Sequence, residues 1–448
     1  MEAHINVIGA GLAGAEAAFQ AAKLGVTVDL YEMKPKKYSP AHHSEGFCEL
    51  VCSNSFRSNQ LSNAIGLLKA ELVKTGSLIM ESAYLSEVPA GSALAVDRVK
   101  FSEYITDKIK THPLITVHNE EITKIPDGGI TVIATGPLTS DALSKSLHEY
   151  LGQDELHFFD AAAPIIDASS IDTEKAFFAS RYGKGDACYI NCPMNKAEYD
   201  RFYEALTGAE EAALKDFDRE SQKELTVFEG CMPVEVMARR GYDTLLYGPL
   251  KPVGLPDPKT GKEAFAIVQL RQENLEKTMY NMVGFQTHLT FAEQKRVFRM
   301  IPGLENAEFL RYGVMHRNTF IDSPKLLSPD YSMKKEPRLF FAGQMTGVEG
   351  YIESASSGFI AGINAALRAR DLEGIDFPAI TAAGALAHYV SSFNQAFQPM
   401  NVNFGIMPPL DKKVKGGKAR RNEEISRRSL EYVDSVLLPI LEKYRKEQ

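Results

Sequence analysis

A chain of 448 residues is longer than one compact core accommodates, so two or three domains are expected. With 44% hydrophobic and 24% charged residues it has a globular composition, and its net charge of −8 excludes a generally basic nucleic-acid coater while leaving room for a local basic surface. The 5 cysteines are odd in number and sparse, which argues against a disulfide framework and for a reducing, cytoplasmic setting.

The chain enters a strand at once, with no basic or apolar leader, and no apolar run approaches the ~18 residues that span a bilayer, so no membrane association is expected. Ile5-Asn6-Val7-Ile8 reads as a buried strand. It turns through glycines into an Ala-rich helix, Ala13 to Lys23, and returns as the strand Val26 to Glu32, a complete βαβ unit. Ile130 to Ala134 is a second buried strand, stopped at Thr135-Gly136-Pro137. A third is Leu339-Phe340-Phe341-Ala342-Gly343, followed by a glycine-dotted loop and an Ala-rich helix from about Ala355 to Ala369. The first and last pieces lie more than 300 residues apart, so the middle must be inserted into the domain they build.

The predicted fold class is therefore α/β: a doubly wound dinucleotide-binding domain with a large α+β insertion and a helical C-terminus. The expected divisions are 1–145 with 330–374, 146–329, and 375–448. Within the insertion, Asn195 to Lys223 reads as charged helix, and Leu225–Phe228 and Phe265–Leu270 as strands. Near the end, Leu430, Val433, Leu437, Ile440, Leu441 and Tyr444 fall on one helical face, with Pro439 set to kink it.

The first turn carries Gly9-x-Gly11-x-x-Gly14. Gly9 permits the tight turn, Gly11 lets a pyrophosphate approach the backbone, and Gly14 lets helix and strand pack closely. The helix start through Ala10, Leu12 and Ala13 supplies N–H donors. Glu32 ends the next strand 18 residues after Gly14, placed to accept from ribose hydroxyls. A lone motif of this kind is weak, but strand, helix and acid are all present. Thr135-Gly136 and Gly343-Gln344 resemble the second and third cofactor contacts of the glutathione-reductase-type FAD fold, which favours FAD. Gly350 and Tyr351, in the glycine-dotted loop, complete the expected cofactor contacts. No second fingerprint follows another strand, so a nicotinamide reductant would visit the flavin transiently.

Cys48 and Cys52 invite a flavin disulfide-reductase reading, but the usual pair is spaced one residue wider and the nicotinamide domain is missing. A zinc site from Cys48, Cys52, Cys188 and Cys192 has no other support, and no metal is expected. Cys52 lies among the polar Ser53-Asn54-Ser55 and Arg57, which would expose the sulfur, lower its pKa and donate hydrogen bonds. Cys231 sits on a Gly-Pro-bounded turn between Glu229 and Glu235. From spacing alone both cysteines read as structural.

At these residues the chain resembles the folate- and FAD-dependent tRNA (uracil-5-)-methyltransferase family, TrmFO. The match includes Cys52-Ser53-Asn54-Ser55, Ala95-Val96-Asp97-Arg98, Phe228 to Glu235, Tyr247 to Leu255, Gln269 to Asn274, Gln344 to Tyr351 and Asn403 to Leu410. The resemblance implies that a one-carbon unit from methylenetetrahydrofolate, with electrons from NAD(P)H by way of FAD, methylates C5 of a T-loop uridine in tRNA. Uracil C5 becomes nucleophilic when a thiolate adds at C6, and the methylene must then be reduced to methyl. The resemblance implies catalytic roles for Cys52, linked to the flavin-carried methylene, and for Cys231, at uracil C6 or its C5 proton. Folate is expected against the isoalloxazine, with Arg271, Gln272 and His316 as contacts or as ordinary interdomain hydrogen-bonders.

Between Asp411 and Arg421 six basic residues (Lys412, Lys413, Lys415, Lys418, Arg420, Arg421) stand against one acid, either a solvated loop or a phosphate-docking patch. The expected partner is the tRNA T-arm, with its target base extruded; neither DNA nor a protein partner is indicated. The alternatives are the same chemistry on a uridine of 23S ribosomal RNA, a flavin disulfide oxidoreductase, and a non-catalytic flavin and RNA binder.

Overall fold

The computed structural model describes residues 3–152, 156–161, 163–183, 186–212, 232–274, 277–313, 315–393, 397, 399–412 and 414–446, with backbone alone at 156–161 and 315–319. Strand β1 (His4–Ile8) lies at the centre of a five-stranded parallel sheet. Its order is Leu339–Phe341, Ile130–Ile133, β1, β2 (Thr27–Glu32), Ile115–Asn119. Three of these strands carry Val, Ile, Leu or Phe at nearly every inward position, as a sheet covered on both faces requires. A small antiparallel sheet of Ser55–Ser58, Glu87–Val88 and Ala93–Val96 stands beside it.

Helix α1 (Leu12–Ala22) and the long helix Tyr351–Ala369 pack on this sheet and on each other. Their approach is set by small residues. A Cβ on Gly358 would lie 2.1 Å from the Ala13 carbonyl oxygen, and one on Gly362 would lie 2.5 Å from Ala17 Cα. Buried Glu16 on α1 accepts from Ser77 Oγ at 2.7 Å and from Ile79 N at 3.0 Å, holding the start of helix Leu78–Leu85. Burial raises its pKa despite those bonds.

The insertion has its own core. Strands Phe177–Ala179, Tyr189–Met194, Ala266–Gln272, Met279–Met282, Ile165–Asp167 and Phe309–Arg311 form an antiparallel sheet. One face is covered by helices Lys196–Thr207, Val234–Arg239 and Phe291–Phe298. The chain passes out and back through the paired strands Leu156–Ala161 and Met315–Phe320. Residues from Ile166 to Ala307 belong to the insertion core, whereas Leu143, Leu147 and Phe320 belong to the cofactor-domain core. The expected helix from Asn195 stops at Thr207, where Gly208 follows; the expected strand at Leu225–Phe228 lies outside the described residues.

The C-terminal helices Ala382–Ser391, Gly417–Tyr432 and Leu438–Lys446 return onto the cofactor domain and share its core. Glu71 of helix Ala64–Thr75 is the pin: its carboxylate accepts from Ala382 N at 2.7 Å, Ala383 N at 3.0 Å and Ser429 Oγ at 2.5 Å. Ahead of Pro439 the helix widens into π turns over Val433–Leu437. Proline offers no N–H to the preceding turn, so the ladder is interrupted there. The extra residue rotates the face, so Val433, Leu437 and Leu441 are buried while Ile440 is turned to solvent. Among the described residues no helix is long and apolar enough to cross a membrane.

Gly358→Val is expected to lower unfolding free energy by about 3 kcal/mol in urea titration, because rigid backbone blocks the added atoms. Gly128→Ala, with open space around it, is expected to change it by less than about 0.5 kcal/mol.

Burial, opposed by its three hydrogen bonds, raises the Glu71 pKa from 4.5 to about 7. Its contribution is therefore full below the unfolded value and is lost as pH rises through the folded one. Unfolding titrations between about pH 5 and about pH 8 should show stability falling with pH, and Glu71→Gln should flatten that decline.

Candidate functional site

The carboxyl ends of the parallel strands open into a cleft of about 1130 Å³, part of it open to solvent. In open α/β sheets ligands bind at this edge. Gly9 takes φ +97°, and a Cβ there would meet the Ala134 carbonyl oxygen at 2.7 Å, so only glycine makes the turn. Gly14 lies behind the turn, where a Cβ would sit 1.7 Å from Gly9 O. In front of Gly11 the space is open, with nothing within 4 Å of where a Cβ would stand. Gly11 caps α1 without a side-chain bond, leaving the helix-start N–H groups directed at the cleft.

At one end of the cleft Glu32 is buried to 8% exposure. It accepts from Ala10 N and from Lys34 N, both at 3.0 Å, so its carboxylate is fixed while lone pairs remain for hydroxyl donors. Thr135 and Gly136 line the middle; Thr135 Oγ1 is 2.6 Å from Thr139 Oγ1. Gly343 and Gln344 line the wall opposite, with Gly343 N donating to Ser357 Oγ at 2.7 Å. Ala10, Leu12, Ala13 and Tyr351 also line the cleft; Gly14 lies behind the turn, and Gly350 stands against the Glu353 and Arg57 side chains rather than in the lining. An elongated dinucleotide fits these parts: donors and space at the middle, an acceptor at one end, a flat apolar end beside Val51 and Tyr351.

Cys52 follows Val51 beside that second end and does not itself line the cleft, whereas Cys48 does. The backbone N–H groups of Cys52 and Ser53 donate to the Tyr351 hydroxyl at 2.8 and 3.1 Å, which ties the thiol loop to the helix that walls the cleft. Cys52 is a half-buried thiol outside any disulfide. Burial, then the neighbouring Cys52, pushes the Tyr351 phenol well above its ordinary range, so it stays a neutral hydrogen-bonding group. Cys48 differs. It is buried against the Ala10 carbonyl, and burial pushes its thiol far up, out of range for thiolate chemistry.

The residues flanking Cys52 are used differently from the sequence expectation. Arg57 turns away to pair with buried Glu353. The cations near the thiol are Arg98 and Arg311, both within electrostatic reach of Cys52. Burial works against the Arg98 charge, and Glu273, at 2.7 Å, more than offsets it. Arg271 donates to Asn54 Oδ1 at 2.9 Å and Ser53 Oγ at 2.6 Å, and Asn54 Nδ2 donates to the Gln272 carbonyl at 3.0 Å. Arg271 thus bridges insertion and thiol loop, while the Gln272 side chain bonds the Asn274 carbonyl. Cys231, the His316 side chain and Lys413 lie outside the described residues.

Sequence reasoning missed Lys34, His42 and Glu49, which wall the cleft. Burial, then the Lys34 charge, lowers the His42 pKa. Only their distance downstream of the fingerprint could have pointed to them. The basic run is exposed at Lys412, Lys415, Lys418, Arg420 and Arg421, and the last three occupy the first turns of helix Gly417–Tyr432. Cations there oppose the helix dipole, an arrangement that a bound phosphate would relieve.

Gly11→Val keeps an accessible backbone, φ −75°, but fills the open space before the turn. Bound dinucleotide, measured by absorbance against protein, should fall about ten-fold or more while the circular dichroism spectrum is unchanged.

The family model described as "Glucose inhibited division protein A" matches residues 4–373. A methylenetetrahydrofolate--tRNA-(uracil-5-)-methyltransferase TrmFO of Acetivibrio thermocellus is 63% identical over 428 residues, 95% of this chain and 97% of the relative. The protein of the same name from Listeria welshimeri is 59% identical over 437 residues, 97% and 99% of the two chains. The solved structure of Aquifex aeolicus GidA superposes with TM-score 0.71 at 17% identity, covering 99% of this chain and 75% of that one, a likeness of fold. With near-complete coverage at this identity, the chain belongs to the glucose inhibited division protein A family and, within it, to the TrmFO group.

Proposed function

We propose that this protein is a methylenetetrahydrofolate- and FAD-dependent enzyme that methylates C5 of a T-loop uridine in tRNA, with NAD(P)H as reductant. The observation that carries the reading is the tie from Tyr351 to the amides of Cys52 and Ser53, which sets a half-buried thiol beside one end of a dinucleotide cleft. The names of the relatives support the folate, the tRNA and the uracil.

When bound, the flavin supplies the hydride that takes a methylene to a methyl group. The protein's parts are placed for the rest. α1 and Glu32 hold the two nucleotide halves, and Tyr351 fixes the Cys52 loop against the far end. Cys52 is the thiol on the cofactor side. Cys231 is assigned to reversible addition at uracil C6, which makes C5 nucleophilic and is undone when the C5 proton leaves. The Arg98–Glu273 pair and the Asn54 and Arg271 bonds hold the insertion against the thiol loop. The exposed cations between Lys412 and Arg421 lie on the cofactor-domain side and suit the tRNA backbone. Burial of Cys48 removes the partner that a disulfide reductase needs.

Purified protein with NAD(P)H, methylenetetrahydrofolate and unmodified tRNA should form 5-methyluridine in the T-loop. Cys52→Ala and Cys231→Ala should each lower the rate by at least about 100-fold while the flavin stays bound. Product on a 23S ribosomal RNA fragment and not on tRNA would move the substrate assignment. Full activity without folate would overturn the reading.

A further inference from the structure

The edge of the insertion sheet carries a column of aromatic rings that ends in solvent. Phe309, on the edge strand Phe309–Arg311, packs against the insertion core, with its ring 6.4 Å from that of buried Phe298. The register then slips between Phe309 and Arg311, which turns Arg311 to the opposite face and brings Tyr312 back over Phe309. The Phe309 and Tyr312 rings lie 5.3 Å apart and 20° from parallel. Phe291, the first residue of helix Phe291–Phe298, lies on Tyr312 at 4.7 Å and 15°. Three rings thus stand face to face, whereas core pairs such as Phe285 with Phe298 and Tyr199 with Tyr242 meet edge-on, at 82° and 87°.

The column is rigid at its outer end. Buried Gln294 donates to the Leu289 and Gly313 carbonyls, both at 2.8 Å, and accepts from Gly313 N at 2.8 Å. One side chain therefore ties the chain beside Phe291 to the chain beside Tyr312. Thr290 Oγ1 accepts from Glu293 N at 3.3 Å and caps the helix that carries Phe291. With one face covered by Tyr312, Phe291 is still 55% exposed, so its other face stands in water. A ring already fixed in place loses little further freedom when a ligand covers it. Any apolar side chain can pack on a lone phenylalanine, but a parallel column is extended best by another flat ring.

The position of the column selects among flat rings. None of its three residues lines the dinucleotide cleft, so the flavin and the folate against it are not the occupants. Tyr312 follows Arg311, whose charge is within reach of Cys52, so the column stands beside the thiol site on the insertion side. Lys295 and Arg296 are exposed on the Phe291 helix, and its one acid, Glu293, is paired with Arg296, so that helix does not repel phosphate. Unpaired RNA bases are recognised by stacking on aromatic rings of this kind, and extruding a base for chemistry leaves its neighbour unstacked. We propose, resting on the tRNA reading above, that the outer face of Phe291 stacks an unpaired T-loop base beside the methylated uridine.

T-arm RNAs carrying 2-aminopurine at each loop position flanking the target would be bound to the flavin-loaded protein, and their fluorescence and affinity followed. Stacking on the wild-type protein should quench one position, and neither Phe291→Ala nor Phe291→Leu should quench it. Both variants should bind tRNA about five- to hundred-fold more weakly, whereas Phe291→Trp should stay within about two-fold of wild type. Bound flavin reports that each variant is folded. Unchanged tRNA affinity in Phe291→Ala overturns the proposal, as does full recovery in Phe291→Leu, which would make the face a general apolar contact. A matching loss of tetrahydrofolate affinity, or a protein dimer that Phe291→Ala breaks, would assign the face to folate or to a second copy and overturns it as well. Wild-type protein that binds no tRNA fails the parent reading and this one together.

Discussion

The whole assembly depends on how closely α1 and the helix Tyr351–Ala369 approach each other. That contact is made by glycine and alanine on both sides, so backbone meets backbone with no room for a Cβ at Gly358 or Gly362. Moving the helices apart by even one methyl group would shift the α1 N-terminus away from the cleft and Tyr351 away from the Cys52 loop. The two ends of the cleft are therefore spaced by one packing constraint, located behind the cleft rather than in it. Glycines at Gly9 and Gly14 extend the same economy of volume to the turn.

The insertion is positioned by polar contacts rather than by a shared core. Its apolar cluster is separate from that of the cofactor domain. What joins them near the thiol is a set of directional bonds: Arg98 to Glu273, Asn54 to the 272 carbonyl, and Arg271 to Ser53 and Asn54. Directional bonds fix orientation while burying little apolar area, so they hold a roof over the thiol without sealing the cleft. Five of the residues involved sit within the two short stretches 53–54 and 271–273, which explains why both stretches are rich in polar side chains, of which the structure buries all but Ser53.

Local spacing made one end of the cleft legible. The turn glycines, the helix after them and Glu32 form one contiguous unit whose geometry is set within a few tens of residues. Thr135, Gly136 and Gly343 were legible because strand ends of a parallel sheet converge on one edge. The neighbourhood of Cys52 was not. Arg57 is five residues away in the chain and turns to Glu353, while Arg98 and Arg311 arrive from other elements. Arg311 reaches its face only through a bulge, and an alternation pattern read along Phe309–Arg311 would have put it beside Phe309. The Gly358–Gly362 spacing is visible in the sequence, but its meaning depends on a helix more than 300 residues earlier. A gap between the pieces of one sheet pointed to an insertion, and its paired entry and exit strands are a tertiary fact.

That separation has a consequence for the nascent chain. α1 leaves the ribosome first, but its partner helix ends at Ala369, so at about 5–20 residues per second the contact is unavailable for roughly 20–70 s. During that interval the face awaiting a partner is built from Ala13, Ala17 and Ala21, which expose far less apolar area than leucine or isoleucine would. A contact made of small residues is thus quiet while it waits, and the insertion domain can complete its own core before the domain that carries it.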